Sequence, residues 1–180
     1  VRRLVGSEMC IRDRLIGINA VSTVECAAVS LGEEGLAPRF SEAIKKGSIK
    51  ILDATCPAIH GALQASEKGV PFMPMRGVLG TDLLKNRPDW IVINNPFHET
   101  NDPIILMPAL KPDIALFHAS LADREGNVWV GVHKELVTLA HASNKTLVSF
   151  EYFYEGNLLD DERYAAGTIP SIYVTEIAQV

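Results

Sequence analysis

Cysteine is scarce in this 180-residue chain: Cys10, Cys26 and Cys56 are odd in number, scattered, and form no Cys-x-x-Cys pair. That pattern argues against a disulfide framework or a thiolate zinc site and fits a reduced, cytoplasmic setting. No apolar run approaches the roughly 20 residues a membrane helix requires, so no membrane partner is expected. Positive charge is also in deficit. The formal net charge of −5 gives no electrostatic case for nucleic acid, whose phosphates want a basic face. There is no P-loop, and Gly77-Val-Leu-Gly80 lacks the third glycine and the acidic partner of a dinucleotide fingerprint. The five histidines do not cluster. His133 and His141 lie on or near one expected helix, too far apart to share a metal, and read as surface or capping residues. No metal site is expected, and no repeat or low-complexity segment is seen.

What remains is ordinary globular composition, 47% apolar and 22% charged, enough for one domain or most of one. Residues 1–14 stand apart. They carry Arg2, Arg3, Arg12 and Arg14 without helical or strand period. A secretory signal would need an apolar stretch that is missing. Ser7-Glu8-Met9-Cys10-Ile11-Arg12-Asp13-Arg14 resembles translated sequencing-adapter read-through, so this segment is expected to be non-native or disordered and is set aside from fold reasoning. Residues 15–180 then form a partial domain, truncated at both ends.

Within those residues, strand-like and helical stretches alternate. Leu15 to Asn19 is the apolar tail of an element, and Val21 to Ser30 reads as a strand. Pro38 to Gly47 is a short capped helix, with Lys45 and Lys46 late and glycine after them. Ile49 to Leu52 is a strand, and Asp53 and Thr55 offer caps for a helix from about Pro57 to Lys68, stopped by Gly69. Trp90 to Ile93 and Ile104 to Met107 are strands around a polar excursion. Glu135 to Ala142 and Asp160 to Ala166 read as helices, Leu147 to Phe150 and Tyr173 to Ala178 as strands. Alternation of this kind predicts an α/β fold with a mostly parallel open sheet flanked by helices.

Two stretches carry the candidate chemistry. In the first, Ile114 to Phe117 is a short apolar run suited to a strand buried on both faces, followed by the turn Ala122-Asp-Arg-Glu-Gly-Asn127 and a return strand to Val130. This places His118, Ser120 and Asp123 at the carboxyl edge of a sheet, where open α/β folds put ligands. The plainer reading is that Asp123 and Asn127 hold the turn, with Gly126 taking positive φ. The second stretch, Val70 to Asp82, is a long connection with two prolines and two glycines, the kind of loop compact domains keep for a use. Its Arg76 suits a carboxylate or phosphate through paired donors, or else pins the loop to a surface acid. Ser149 has no Gly-x-Ser-x-Gly elbow around it. Glu25, Glu33 and Glu34 lie near a strand end, where a carboxylate can serve as nucleophile, but the default for all three is solvation.

Pro71-Phe-Met-Pro-Met-Arg-Gly-Val-Leu-Gly-Thr-Asp-Leu-Leu84, Asn95-Pro-Phe97, Pro108-Ala-Leu-Lys-Pro-Asp-Ile-Ala-Leu-Phe-His-Ala119 and Ala122-Asp-Arg-Glu-Gly-Asn-Val128 together resemble the α (A) subunits of family I coenzyme A transferases, of the glutaconate and 3-oxoacid type. The resemblance runs from about Leu15 to Val180. It implies the CoA-transferase (NagB-RpiA-like) α/β fold and a ping-pong reaction. A glutamate attacks the acyl-CoA thioester to give a mixed anhydride and CoA thiolate; the thiolate returns to form a glutamyl-CoA thioester; an acceptor carboxylate then takes the CoA. In two-subunit members that glutamate lies on the β subunit in a Ser-Glu-Asn-Gly-like setting, a string this chain lacks. No catalytic residue is therefore expected here. Glu33 follows Gly32 where α subunits often read Val-Gly-Glu-Asn, a structural or interfacial position.

The resemblance further implies a β-subunit partner in a heterodimer or heterotetramer, an acyl-CoA and a carboxylate as small-molecule partners, and no permanently bound cofactor, the CoA thioester being substrate. Phe72, Arg76, Gly77, Gly80, Thr81 and Asp82 are the expected substrate or CoA contacts. His118, Asp123, Gly126 and Asn127 mark the family motif at the sheet edge. Two other readings stay open: a CoA-dependent hydrolase subunit of the same fold acting on steroid ring fragments, and a non-catalytic sugar-phosphate or CoA-ester binding domain.

Overall fold

The computed structural model describes residues 3–5, 9–29 and 35–180, with the backbone alone for residues 3–5, 9 and 10. The chain divides into two compact units, Val1–Leu110 and Lys111–Val180. The first holds two three-stranded sheets. In one, β1 (Arg3–Val5), β2 (Thr23–Cys26) and β3 (Lys50–Asp53) run parallel in that order. Around it lie α1 (Met9–Gly17) and α2 (Pro38–Lys46). Ile16, Val24, Cys26, Val29, Phe40 and Ala43 form the core between them.

Local chemistry accounts for these helices. Ala37 gives α2 no side-chain cap. One of its first-turn donors is met instead from α1, where Asp13 Oδ1 accepts the buried Phe40 backbone N–H at 2.9 Å, a carboxylate at the positive end of a helix dipole. At the far end, Gly47 and Ser48 donate back to Ile44 and Ala43 and close the helix. Residues 9–14, expected to lie outside the fold, are thus described as the opening turns of α1. Strand β2 is shorter than the Val21–Ser30 expectation, and Ser30, Gly32, Glu33 and Glu34 lie outside the described residues.

The second sheet is antiparallel, ordered β4 (Phe72–Met75), β6 (Pro103–Pro108), β5 (Ile91–Asn94). Packed on it is α3 (Cys56–Glu67), whose first turn is capped by Thr55 Oγ1 accepting from the Ala58 N–H, with Pro57 just inside the start. Ala54, Ala58, Val78, Trp90, Ile105 and Met107 make its core. Residues 72–75, read from the sequence as part of a connection because of Pro71 and Pro74, are a strand. The prolines survive there because β4 is an edge, where a missing ladder donor is tolerated.

Lys111–Val180 contains one five-stranded mixed sheet, ordered β10 (Thr168–Ile169), β8 (Val128–Trp129), β7 (Ile114–Asp123), β9 (Lys145–Tyr154), β11 (Glu176–Gln179). Here β7, β9 and β11 are parallel, with α5 (Lys134–Ala142) linking the first two across one face, while β8 and β10 run antiparallel. The α/β class expected from alternation holds. Strand directions are mixed because short connections such as residues 124–127 and 95–102 permit only antiparallel neighbours, whereas parallel pairs need a crossover. The run Ile114–Phe117 is buried on one face only: Ala115 and Phe117 are buried, Ile114 and Leu116 exposed. Residues 160–166 form turns and a 3₁₀ segment at Ala165–Gly167 rather than a helix. The reason is Asp161, whose Oδ1 bonds the backbone N–H and Nε of Arg163 and so competes with helical hydrogen bonding. Among the described residues no helix is long and apolar enough to cross a membrane.

The first unit turns on a buried cation. Arg87, 2% exposed in its side chain, donates Nη2 to Glu25 at 2.8 Å on β2 and grips Asp89 through Nε and Nη2. Its Nη1 reaches the Asp53 carbonyl that ends β3, and the guanidinium stacks 4.2 Å over the Trp90 ring. Glu25, expected to be solvated, is buried in this ion pair. Removing one partner of such a pair leaves the other charge uncompensated. Arg87→Met should therefore lower the stability of this unit by about 3–5 kcal/mol, and adding Glu25→Leu should recover part of the loss. Urea unfolding of the single and double variants measures both, and a single variant within error of the parent refutes the assignment.

Candidate functional site

The loop that follows β4 is rigid although it lacks regular structure. Val78 is buried at 3% and anchors it in the core around Trp90 and Met107. Backbone turns from Leu79 to Arg76 and from Thr81 to Val78 fold it, and Thr81 Oγ donates to the same Val78 carbonyl. Gly80 sits at φ +75°, which a side chain would resist. With Val78 turned in, Arg76, Gly77, Gly80, Thr81 and Asp82 are left on the outside. Asp82 pairs with Lys85 across the first turn of α4 (Leu83–Asn86), and Phe72 is half-exposed at the start of β4.

A second loop meets the first. In the β5–β6 hairpin, Asn94 Oδ1 accepts the Asp102 N–H, and Asn95 Nδ2 donates to Asp102 Oδ2 at 2.7 Å. Asp102 then takes Arg76 in a two-point grip, from Nε at 3.1 Å and from Nη2 at 2.6 Å. Arg76 and Asn95 together hold the Asp102 carboxyl below its usual range, and Asp102 holds the Arg76 guanidinium above its own. A guanidinium has five N–H donors, and this grip occupies one edge only. The Nη1 edge is left to solvent or to a ligand, beside a hairpin whose Phe97 is 94% exposed. Of the two sequence readings of Arg76, the pairing that pins the loop to an acid is the one seen here, with Asp102. Asp102 escapes the sequence reading, because nothing local marks an acid 26 residues away as the partner of Arg76.

The residues marked at the other sheet edge belong to Lys111–Val180 and do two different things. Asp123 is fully buried. Its Oδ1 accepts the N–H groups of Glu125 and Asn127, and its Oδ2 accepts the Asn127 amide and the Leu158 N–H. Asn127 Oδ1 in turn receives the Ser171 N–H, and Gly126 takes φ +88° between them. The pair ties the β7–β8 turn to two later loops.

His118 differs. Register places it opposite Ser149 on β9, with Nδ1 2.9 Å from Ser149 Oγ and Nε2 at a loose 3.5 Å from Glu151. Only strand pairing reveals this trio, since its members lie 31 and 33 residues apart. His133 bonds Glu135 at the start of α5 and His141 stacks on Tyr173. Among the described residues, no group of three or more His, Cys, Asp or Glu side chains is placed to hold a metal ion.

No family model matches the chain. Over 120 residues it is 33% identical to the α (A) subunit of 3-oxoadipate CoA-transferase from Pseudomonas knackmussii, covering 63% of this chain and 41% of that protein. The structure of glutaconate coenzyme A-transferase from Acidaminococcus fermentans matches with a TM-score of 0.81 over 97% of this chain and 60% of that chain, at 22% identity. The chain is thus similar to A subunits of CoA-transferases and shares the fold of glutaconate coenzyme A-transferase. A hydrolase-named member matches too: the cholesterol ring-cleaving hydrolase IpdA subunit of Rhodococcus jostii is 31% identical over 124 residues, 66% of this chain and 42% of that protein. The chain spans less than half the length of these curated relatives.

The Asp123 turn is acid-sensitive. Burial raises the Asp123 carboxyl, but the N–H groups of Leu158, Asn127 and Glu125 and the Asn127 amide outweigh it and hold the group below the usual range. Its stabilising effect is complete above the unfolded carboxylate pKa of about 4 and is lost as pH falls from there through the lowered folded value. Asp123→Asn should cost about 1–3 kcal/mol at pH 7, and the gap from the parent should narrow at pH 3. Urea midpoints at the two pH values test this; an equal gap at both contradicts it.

Proposed function

We propose that this chain supplies one wall of an acyl-CoA:carboxylate CoA-transferase site whose nucleophilic glutamate arrives on a β subunit. The observation that carries the reading is the half-used guanidinium of Arg76, oriented by Asp102 and flanked by the outward backbone of Gly77 and Gly80. In this reading, Arg76 receives the carboxylate of the acid on its Nη1 edge while Asp102 fixes the plane of the guanidinium. Charge-assisted paired donors of that kind orient a carboxylate as well as hold it, and transfer depends on such orientation. Gly77, Gly80, Thr81 and Asp82 let the ligand approach the loop closely, and Phe72 offers apolar contact at its start. The acyl-transfer steps themselves belong to the partner's carboxylate and its oxyanion donors.

A second reading has its own support in the likeness to the cholesterol ring-cleaving hydrolase IpdA subunit. It keeps the Arg76 wall and replaces CoA transfer by hydrolysis within a CoA-linked steroid ring fragment. The β-subunit sequence discriminates: a Ser-Glu-Asn-Gly-like string favours transfer.

The purified chain alone should show no transfer of CoA from an acyl-CoA to a free acid, and co-expression with its β subunit should restore it. Turnover by the chain alone refutes the division of labour. In the restored enzyme, Arg76→Lys removes the two-point grip and should raise KM for the carboxylate substrate by about 10- to 100-fold, the weight of one charge-assisted hydrogen bond. Steady-state kinetics with an unchanged KM would remove Arg76 from the site.

A further inference from the structure

Among the described residues, β5 pairs with β6 alone, so its other edge is open. The register fixes which of its backbone groups face outward. The Asn95 N–H donates to the Asp102 carbonyl at 2.9 Å, which makes these two a hydrogen-bonded pair. Antiparallel ladders alternate bonded and unbonded pairs. Ile93 with Ile104 and Ile91 with Leu106 are therefore bonded, while Val92 with Ile105 and Asn94 with Pro103 are not. Pro103, which has no N–H to give, suits the unbonded place. The far side of β6 agrees: the Ala109 N–H donates to the Pro71 carbonyl, so Pro74 and Pro108 also fall at unbonded positions. Val92 and Asn94 thus turn their N–H and C=O groups to the open edge.

Nothing along this edge discourages pairing. Edge strands that stay single are usually blunted by lysine, proline, a bulge or an inward charge. Residues 91–94 hold none of these, and their register is unbroken. Ile91 and Val92 are about half-exposed and Asn94 is exposed. Ile91 and Ile93 lie beside Leu106 and Ile104, on the face opposite Ile105 and Met107 of the α3 core.

Symmetry and charge select the occupant. A two-fold axis through Ile93 sets Val92 of one copy opposite Asn94 of the other, and each outward donor then meets an outward acceptor. Ile93 faces its own counterpart at an unbonded position, where side chains come closest. From Ile91 to Phe97 there is no acidic or basic side chain, so the edge meets itself without like-charge repulsion. Asp89 falls opposite Phe97 of the second copy, and its carboxylate is held by Arg87.

We propose that two copies of this chain associate through antiparallel β5–β5 pairing centred on Ile93, which joins their three-stranded antiparallel sheets into one. The pairing is independent of the transferase reading of the Arg76 loop.

Sedimentation equilibrium of the 180-residue chain from about 1 to 300 µM, the window for a small contact, tests it. A monomer–dimer equilibrium is expected. Ile93→Lys and Ile93→Glu each set like charges face to face across the axis and should each raise the dimer dissociation constant about tenfold or more. Mixed in equal amounts, the two variants should form a dimer that neither forms alone, because lysine then faces glutamate. Misfolded variants could not recover in this way. A parent that stays monomeric, dimers that survive both substitutions, or a mixture no more associated than its components overturns the proposal. So does a monomeric parent that binds its β subunit and loses it in Ile93→Lys, which gives the edge to that chain.

Discussion

Arg87 is the constraint on which Val1–Leu110 depends. A buried guanidinium is stable only if carboxylates and carbonyls surround it, and here they come from β2, the end of β3 and the approach to β5. One side chain thus fixes the parallel sheet to the chain that enters the antiparallel one. It also fixes the far end of the loop that begins at Arg76, because α4 ends one residue before it. The loop is held by β4 at its start, by Val78 in its middle and by Arg87 at its end. Its outward residues keep their positions without secondary structure.

Much of this architecture is legible in the sequence because it rests on local chemistry. Thr55 and Pro57 announce α3, Pro38 and Gly47 bound α2, and the Asp123-to-Asn127 turn declares itself through Asp and Gly. The illegible parts depend on distant partners. Glu25 looks like a solvated acid because its partner lies 62 positions later. Asp102 looks like part of a polar excursion until the hairpin brings it under Arg76. Pro71 and Pro74 disguise a strand, since whether a proline sits at a sheet edge is a property of topology. Asp161 breaks an expected helix by bonding its own backbone neighbours.

The candidate site residues divide along the same line. Arg76, Gly77 and Gly80 stand out in the sequence and occupy one loop, whereas the grip that orients Arg76 comes from the hairpin. His118 is recognisable as a sheet-edge residue, but Ser149 and Glu151 join it only through the parallel register of β7 and β9. In Asp123 and Asn127 the hydrogen-bonding capacity is directed inward, to the turn and two later loops. The geometry separates the residues that face outward from those that hold the chain.

The placement of Pro74 on β4 also governs how this sheet can associate. A strand that lacks a regular row of backbone donors is a poor template for another chain, so the flank of the sheet that carries the Arg76 loop is guarded against accretion. The opposite flank, β5, has no proline and shows Ile91 and Val92 to solvent. Any strand recruited from outside would add there, and the sheet has a single growing side.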